Sequence, residues 1–426
     1  MKISLLTIGT RGDVQPFIAL GLGLQETGYQ VEIVTHAIFE SWIRSYGFNF
    51  AVIEGDPQEF IASEEGKKIL ESGKNPLEFV RLFAESISPF VDSLMTDIWR
   101  VCQSTDIIIA HSILFWTYDL AKKLDIPYCL ASFTPLTATF DYPVALANKS
   151  LGSLFNYLSY PVASFVLWQI FRNPVNQYLK TNLGLSPRSI WRSPLIEIKQ
   201  NSSILYAYSS SVLPRGKNWS DNIYITGYWF LESKQDWTIP QDLIDFLNNG
   251  SPPVYVGFGS MSDRDPLATM EIVLAALAKT NQRGIIATGW GGIDDLNLPS
   301  SVFKIDSIPH DWLFPQCAAV VHHGGAGTTA AGMKAGVPSI IVPFFSDQPF
   351  WGYRIFDLGV GTEPILRSQL TVNKLTAAIN QAIQDGQMQT SAQRVGNQIR
   401  SEDGVKKAVT IISSVVNRWI TRQDRI

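Results

Sequence analysis

Eight residues, His322-His323-Gly324-Gly325-Ala326-Gly327-Thr328-Thr329, follow the apolar run Ala318–Val321 and can do chemistry with an anion. The glycines let backbone approach a ligand closely and take positive φ. Thr328 and Thr329 can begin a helix whose unpaired N–H groups point back into the turn, and such an end favours anions by roughly 0.3–1 kcal/mol. A tight strand-to-helix turn without a ligand would read the same way, so the turn alone decides nothing. The next apolar run ends at Asp347-Gln348, whose acceptors and donors suit vicinal hydroxyls; Trp351 nearby could cover an apolar sugar face. Asp347 could equally cap a helix. Gly257-Phe258-Gly259-Ser260 ends another apolar run and offers a second close approach to phosphate. In the first half of the chain, Asp13 sits on a glycine-led loop after Lys2–Ile8. It is either a base or the N-cap of a helix beginning near Gln15.

Such groups need a rigid frame, and the sequence supplies one twice. Strand patterns at Lys2–Ile8, Gln30–Thr35, Asp106–Ala110 and Tyr128–Ala131 alternate with helical ones at Gln15–Glu26 and Phe115–Leu124. A second series starts at Pro253–Phe258 and runs through Gly284–Ala287, Ala318–Val321 and Ser339–Val342, with helices near 269–280, 328–335 and 373–385. Short apolar strands alternating with helices predict α/β parallel sheets covered on both faces, with ligands at the carboxyl ends of the strands. The Pro- and Trp-rich stretch 231–240 reads as the linker between domains 1–230 and 241–403. An amphipathic helix follows from 404 to the end.

The 426 residues suit two cores. A formal charge of −4 gives no basic field for nucleic acid. Cys102, Cys129 and Cys317 form no ligand spacing, which suits buried thiols in a reducing compartment. Lys2–Ile8 is too short for a signal peptide, so a cytoplasmic location is expected. The segment 150–171 carries no charge, but Pro161 and several polar residues favour buried or interfacial helices over a membrane span.

Residues 305–362, together with the opening Gly9-Thr10-Arg11-Gly12-Asp13-Val14-Gln15-Pro16, resemble the GT-B fold nucleotide-sugar glycosyltransferases, in particular the sterol glucosyltransferase-like and bacterial natural-product group. The resemblance covers nearly the whole chain, most loosely 56–105 and 136–220. It implies two Rossmann-like domains facing across a cleft, with the C-terminal helix returning to the first. The second domain would bind the nucleotide sugar, UDP-glucose in many such enzymes: His323 and the backbone of Gly325, Ala326, Gly327, Thr328 and Thr329 on the diphosphate with Ser260, Ile308 on the base through its backbone, and Asp347 and Gln348 on the hexose. Plant relatives carry Trp where Ser307 falls and a ribose-binding Glu where Ala331 falls, so base stacking and ribose contact have no counterpart here, and the choice between UDP and dTDP stays open.

Plant relatives also place a histidine at the position of Asp13 and an orienting aspartate where His111 stands; the two types are exchanged. The expected catalytic pair is therefore Asp13 as base, with His111 orienting it or relaying the proton. No cofactor and no metal are implied: Asp263-Arg264-Asp265 spells a metal–diphosphate pattern of another architecture, and Arg264 suits a solvated loop. Trp116, Phe133, Phe140 and Tyr157 are the expected acceptor wall. An apolar, hydroxyl-bearing acceptor such as a sterol, lipid or polyketide-type aglycone would fit, with peripheral membrane contact. A sugar-nucleotide epimerase and a non-catalytic lipid- or nucleotide-binding relative are the competing readings. A dinucleotide-dependent dehydrogenase is disfavoured, because Gly21-Leu22-Gly23 falls inside a helix.

Overall fold

The computed structural model describes residues 1–71, 76–147, 149–232, 238–259, 266–287, 298–306 and 308–424. The chain forms two compact units. The first comprises Met1–Val144, Ser150–Leu231 and Asp403–Ile426, and the second Ala145–Lys149 and Glu232–Glu402.

The first unit holds seven strands: β1 (Lys2–Leu6), β2 (Gln30–His36), β3 (Asn49–Ile53), β4 (Ile107–His111), β5 (Tyr128–Ser132), β6 (Ser203–Tyr206) and β7 (Ile223–Ile225). All pair in parallel, in the order β3-β2-β1-β4-β5-β6-β7. Burial on both faces explains the unbroken apolar sequences of β4 and β5, which a one-sided strand would not tolerate. The order reverses between β1 and β4, which opens a crevice at their carboxyl ends. Helix Arg11–Glu26 follows β1 and packs Phe17, Ile18 and Leu24 into the core.

The final helix, Gly404–Gln423, belongs to this unit. Ala408, Val409, Ile412 and Val416 join its core, and Gly23 is small enough for Val405 to seat against it. Lys407 Nζ donates to the Ile225 carbonyl, and Trp419 Nε1 to that of Asp125 at 3.1 Å.

The second unit holds β8 (Val254–Gly257), β9 (Gly284–Ala287), β10 (Val302–Ile305), β11 (Ala319–His322) and β12 (Ser339–Ile341), all parallel in the order β10-β9-β8-β11-β12. Its reversal falls between β8 and β11. Each unit thus has one topological switch point: Asp13 follows β1 at the first and His322-His323 closes β11 at the second, while Asp347-Gln348 follows the edge strand β12.

Helix Arg11–Glu26 begins four residues earlier than the Gln15 start expected from the sequence. Pro16 suggests a first-turn position there, but Thr10 is the N-cap and Asp13 closes a capping box, which outweighs the proline. The uncharged segment lies largely within helix Ser153–Thr181, which contains Pro161 and Pro174. Among the described residues, no helix is long and apolar enough to cross a membrane.

Candidate active site

At the switch point of the first sheet, Asp13 folds back on its own loop. Its Oδ2 accepts the Thr10 N–H at 2.8 Å and the Thr10 hydroxyl at 3.1 Å. Gly9 makes this possible: its φ is +120°, and a Cβ there would lie 2.4 Å from Asp13 Oδ2. Burial raises the Asp13 carboxyl from 3.8 to about 6, against the opposing pull of the two Thr10 hydrogen bonds. The residue remains partly exposed at the surface, so this carboxylate is enclosed but reachable.

His111 ends β4, beside the strand that leads to Asp13. Its ring stacks on Phe133 with centroids 5.2 Å apart and meets Phe17 edge-on at 6.2 Å. Burial lowers its pKa to about 4, so the ring is neutral at physiological pH, and Nδ1 has no hydrogen-bond partner among the described residues. Among the described residues no hydrogen bond joins Asp13 to His111; the fold brings them to one edge without pairing them directly. His36 ends β2 on that same edge, 8% exposed, its pKa lowered chiefly by burial. Spacing in the sequence does not single it out; a histidine closing an apolar strand was the available signal.

The aromatic residues expected to wall an acceptor separate into two groups. Phe133 stands against His111, and Phe140 is 51% exposed and stacks on Tyr157 at 4.6 Å. Trp116 is different: at 1% exposure it is core, tilted against Phe171, and no ligand reaches it without repacking.

At the switch point of the second sheet, β11 delivers His322 and His323. His322 is fully buried, and its Nδ1 accepts the Gly324 N–H at 3.1 Å, which shapes the turn. It is therefore architectural, not the ligand donor expected from sequence. His323 lies between two glycines: a Cβ on Gly259 would come within 3.2 Å of its Cε1, and one on Gly325 within 2.5 Å of its Nε2. Burial, then the nearby His310, lowers its pKa to about 4, and Nδ1 has no hydrogen-bond partner among the described residues. It is a neutral imidazole, able to donate one hydrogen bond without a cation's desolvation cost.

Helix Ala326–Ala335 starts directly afterwards with Gly325 as N-cap, and no side chain caps it. The amides of its first turn have no intrahelical acceptor. Gly327 is exposed with open space around its Cα, Thr328 is partly buried, and the buried Thr329 hydroxyl has no hydrogen-bond partner among the described residues. Together these make an uncapped helix end beside a neutral imidazole, an arrangement that receives phosphate oxygens.

After β12 the chain turns through Ser346, whose φ of +59° is unusual for a residue with a side chain. Asp347 Oδ2 accepts the Trp351 indole N–H at 2.9 Å. The Gln348 side-chain carbonyl accepts the Phe344 and Phe345 amides at 2.7 and 3.2 Å. The loop is thus held rigid by the pair expected to hold sugar. Trp351 is 1% exposed beneath it, so it positions Asp347 and does not cover a sugar face.

Ile308, partly buried before helix His310–Leu313, keeps its backbone N–H and C=O without partners among the described residues. Ala331 packs in the core of this unit and offers no polar group. Ser260, Ser307 and Asp263-Arg264-Asp265 lie outside the described residues.

Two parallel sheets with ligand-competent groups at both switch points define a GT-B glycosyltransferase architecture. Solved structures share it: the glycosyltransferase of kitacinnamycin (TM-score 0.72, 15% identity, 97% of this chain and 99% of that one) and the calicheamicin glycosyltransferase CalG4 (TM-score 0.70, 18% identity, 98% of each). Residues 3–143 match the glycosyltransferase family 28 N-terminal domain, and residues 271–413 the erythromycin biosynthesis protein CIII-like C-terminal domain.

The chain is 37% identical to the sterol 3-beta-glucosyltransferase UGT80B1 of Arabidopsis thaliana, over 96% of this chain and 67% of that protein. It is 38% identical to the sterol 3-beta-glucosyltransferase of Aspergillus terreus over 97% of its own length, but spans only 30% of that longer protein. The chain belongs to this glycosyltransferase family.

Proposed function

We propose that this protein transfers a hexose, glucose from UDP-glucose, to the hydroxyl of an apolar acceptor of the sterol class, with inversion at the anomeric carbon. The uncapped start of helix Ala326–Ala335 beside neutral His323 carries the reading. It presents donors where a diphosphate leaving group gains charge, and dipoles already aimed there need no reorganisation in the transition state. The relatives named as sterol 3-beta-glucosyltransferases support the sugar and the acceptor class.

In the reaction the acceptor oxygen attacks the anomeric carbon as the bond to the diphosphate breaks. The proton of the acceptor hydroxyl passes to Asp13. A carboxylate cannot ionise an alcohol outright, because the pKa gap is on the order of ten units, so transfer accompanies attack. Raising Asp13 to about 6 narrows that gap and still leaves most molecules ionised at neutral pH. Neutral His111 orients the hydroxyl or relays its proton, and Phe133 provides an apolar wall beside it. Asp347 and Gln348 hold the hexose, and Ile308 the base. No metal or organic cofactor is called for, because the helix end and His323 carry the leaving group. An acceptor drawn from a membrane implies peripheral contact of the enzyme with that membrane.

The test is incubation with UDP-glucose and a sterol, with chromatography of the organic extract. A steryl glucoside is expected. An epimerised nucleotide sugar formed without acceptor would instead identify an epimerase.

A further inference from the structure

The irregular loop 182–193, between helix Ser153–Thr181 and helix Pro194–Asn201, is fixed in place. Asn176 brackets the backbone of Arg188: its Oδ1 accepts the Arg188 N–H at 2.8 Å, and its Nδ2 donates to the Arg188 carbonyl at 2.9 Å. Trp168 Nε1 donates to the neighbouring Ser189 carbonyl at 3.1 Å. The Arg188 side chain turns inward and meets Asp119 through two hydrogen bonds of 2.7 and 2.5 Å, with the two side chains 9% and 8% exposed. Its third nitrogen donates to Glu197 at 2.8 Å, and Glu197 also accepts Lys122 Nζ at 2.8 Å. The bond from Arg188, ahead of that from Lys122, holds the Glu197 carboxyl at about 2, so its charge is present throughout the physiological range.

These four charges cancel, and they line a cavity of about 580 Å³, a size typical of small-molecule sites. Two further cations line it, Lys123 and Arg192. Both are exposed, and neither makes an ion pair among the described residues. The cavity therefore has a surplus of two positive charges in a chain whose formal charge is −4. Leu179, Leu185 and Pro187 add apolar lining. The place is separate from the catalytic edge. Lys122 and Lys123 occupy the last turn of helix Tyr118–Leu124, which leads to the amino end of β5, whereas Asp13 and His111 stand at the carboxyl ends of β1 and β4. Two like charges beside one space repel, and an anion between them relieves that repulsion. A phosphate monoester, with a charge of about −1.5 to −2 at neutral pH, balances both cations where a carboxylate would balance one.

We propose that this cavity binds the phosphate ester of a small organic molecule, with the phosphate on Lys123 and Arg192 and the organic part against Leu179, Leu185 and Pro187. The site is distinct from the one that transfers sugar. Its test holds no nucleotide sugar and no acceptor, so it can fail without the transferase reading failing.

Phenyl phosphate, a dianion with an apolar ring, is titrated into the full chain by isothermal calorimetry at about 0.15 M salt, where exposed long-range charge effects are screened. Binding is expected, at least about tenfold tighter than that of inorganic phosphate, because half a buried ring contributes that much. Lys123→Ala with Arg192→Ala should weaken it at least about tenfold through loss of two charge-assisted contacts. Both side chains are exposed, so this variant should unfold at the wild-type temperature. Three results overturn the proposal. One is no binding of phenyl phosphate. Another is equal affinity for phenyl phosphate and inorganic phosphate. The third is binding that the double variant leaves unchanged, since the ester is then held elsewhere, such as at the helix end before Ala326.

Discussion

Replacing Asp13 by Asn separates the catalytic part of this account from its structural part. In the folded protein the Asp13 carboxyl sits near 6, against 3.8 when free, chiefly because burial penalises its charge. Two units at 1.36 kcal/mol each give about 3 kcal/mol of destabilisation from the ionised group, and its partial exposure trims this to roughly 1–3 kcal/mol. The sign is opposite to that of a salt-bridged carboxylate. Between pH 3.8 and 6 the native state binds more protons than the unfolded one, so stability falls as pH rises through that window and stays low above it. Asn keeps an oxygen to accept the Thr10 N–H and has no charge to desolvate. Asp13→Asn should therefore raise the melting temperature at pH 8 by roughly 2–12 °C, at about 2–4 °C per kcal/mol, and leave it nearly unchanged at pH 4. Glucosyl transfer should meanwhile fall about 10²–10⁴-fold. Scanning calorimetry at the two pH values and a turnover assay at pH 8 give both numbers. A loss under tenfold refutes Asp13 as base, and an equal stability gain at pH 4 and pH 8 refutes the burial argument.

The wild-type pH profile of kcat/KM should rise with a limb near 6 as Asp13 ionises, and a profile flat from pH 5 to 8 would contradict this. Gly9→Ala places a Cβ against Asp13 Oδ2 at a positive φ, so transfer should drop at least tenfold while donor affinity, read by calorimetry, stays constant. His323→Ala removes one donor to the diphosphate and should weaken UDP binding about 10–100-fold, with melting temperature preserved. Gln348→Ala strands the Phe344 and Phe345 amides and should cost about 1–3 kcal/mol of stability as well as sugar affinity.

The sequence made the site's chemistry more legible than its mechanics. Strands β4, β8 and β11 announce themselves as apolar runs that stop at glycine or histidine, and β1 as an apolar run ahead of Gly9; together they carry both switch points. Short strands such as β7, only Ile223–Ile225, have no period long enough to read. What the sequence hides is which face of an element is buried. His322 and His323 are adjacent and alike, yet His322 ends β11 and shapes the turn by accepting the Gly324 N–H, while His323 lies past the strand between Gly259 and Gly325. Trp351 reads as a sugar platform until its indole is found supporting Asp347 from below, and Trp116 as a pocket wall until it is found in the core. The apolar stripe of helix Ser153–Thr181 was visible as a segment without charge; its exposure is a tertiary fact.

The central claim is that the helix end at Ala326 and the base at Asp13 serve one transfer reaction. It is tested most directly with UDP-glucose radiolabelled in the sugar, incubated with the protein and sterol-containing vesicles. The account predicts label in the organic phase as a steryl β-glucoside, lost in Asp13→Asn and in His323→Ala. It is contradicted if neither UDP- nor dTDP-hexoses bind the protein, or if bound donor never gives up its sugar to any hydroxyl-bearing apolar acceptor.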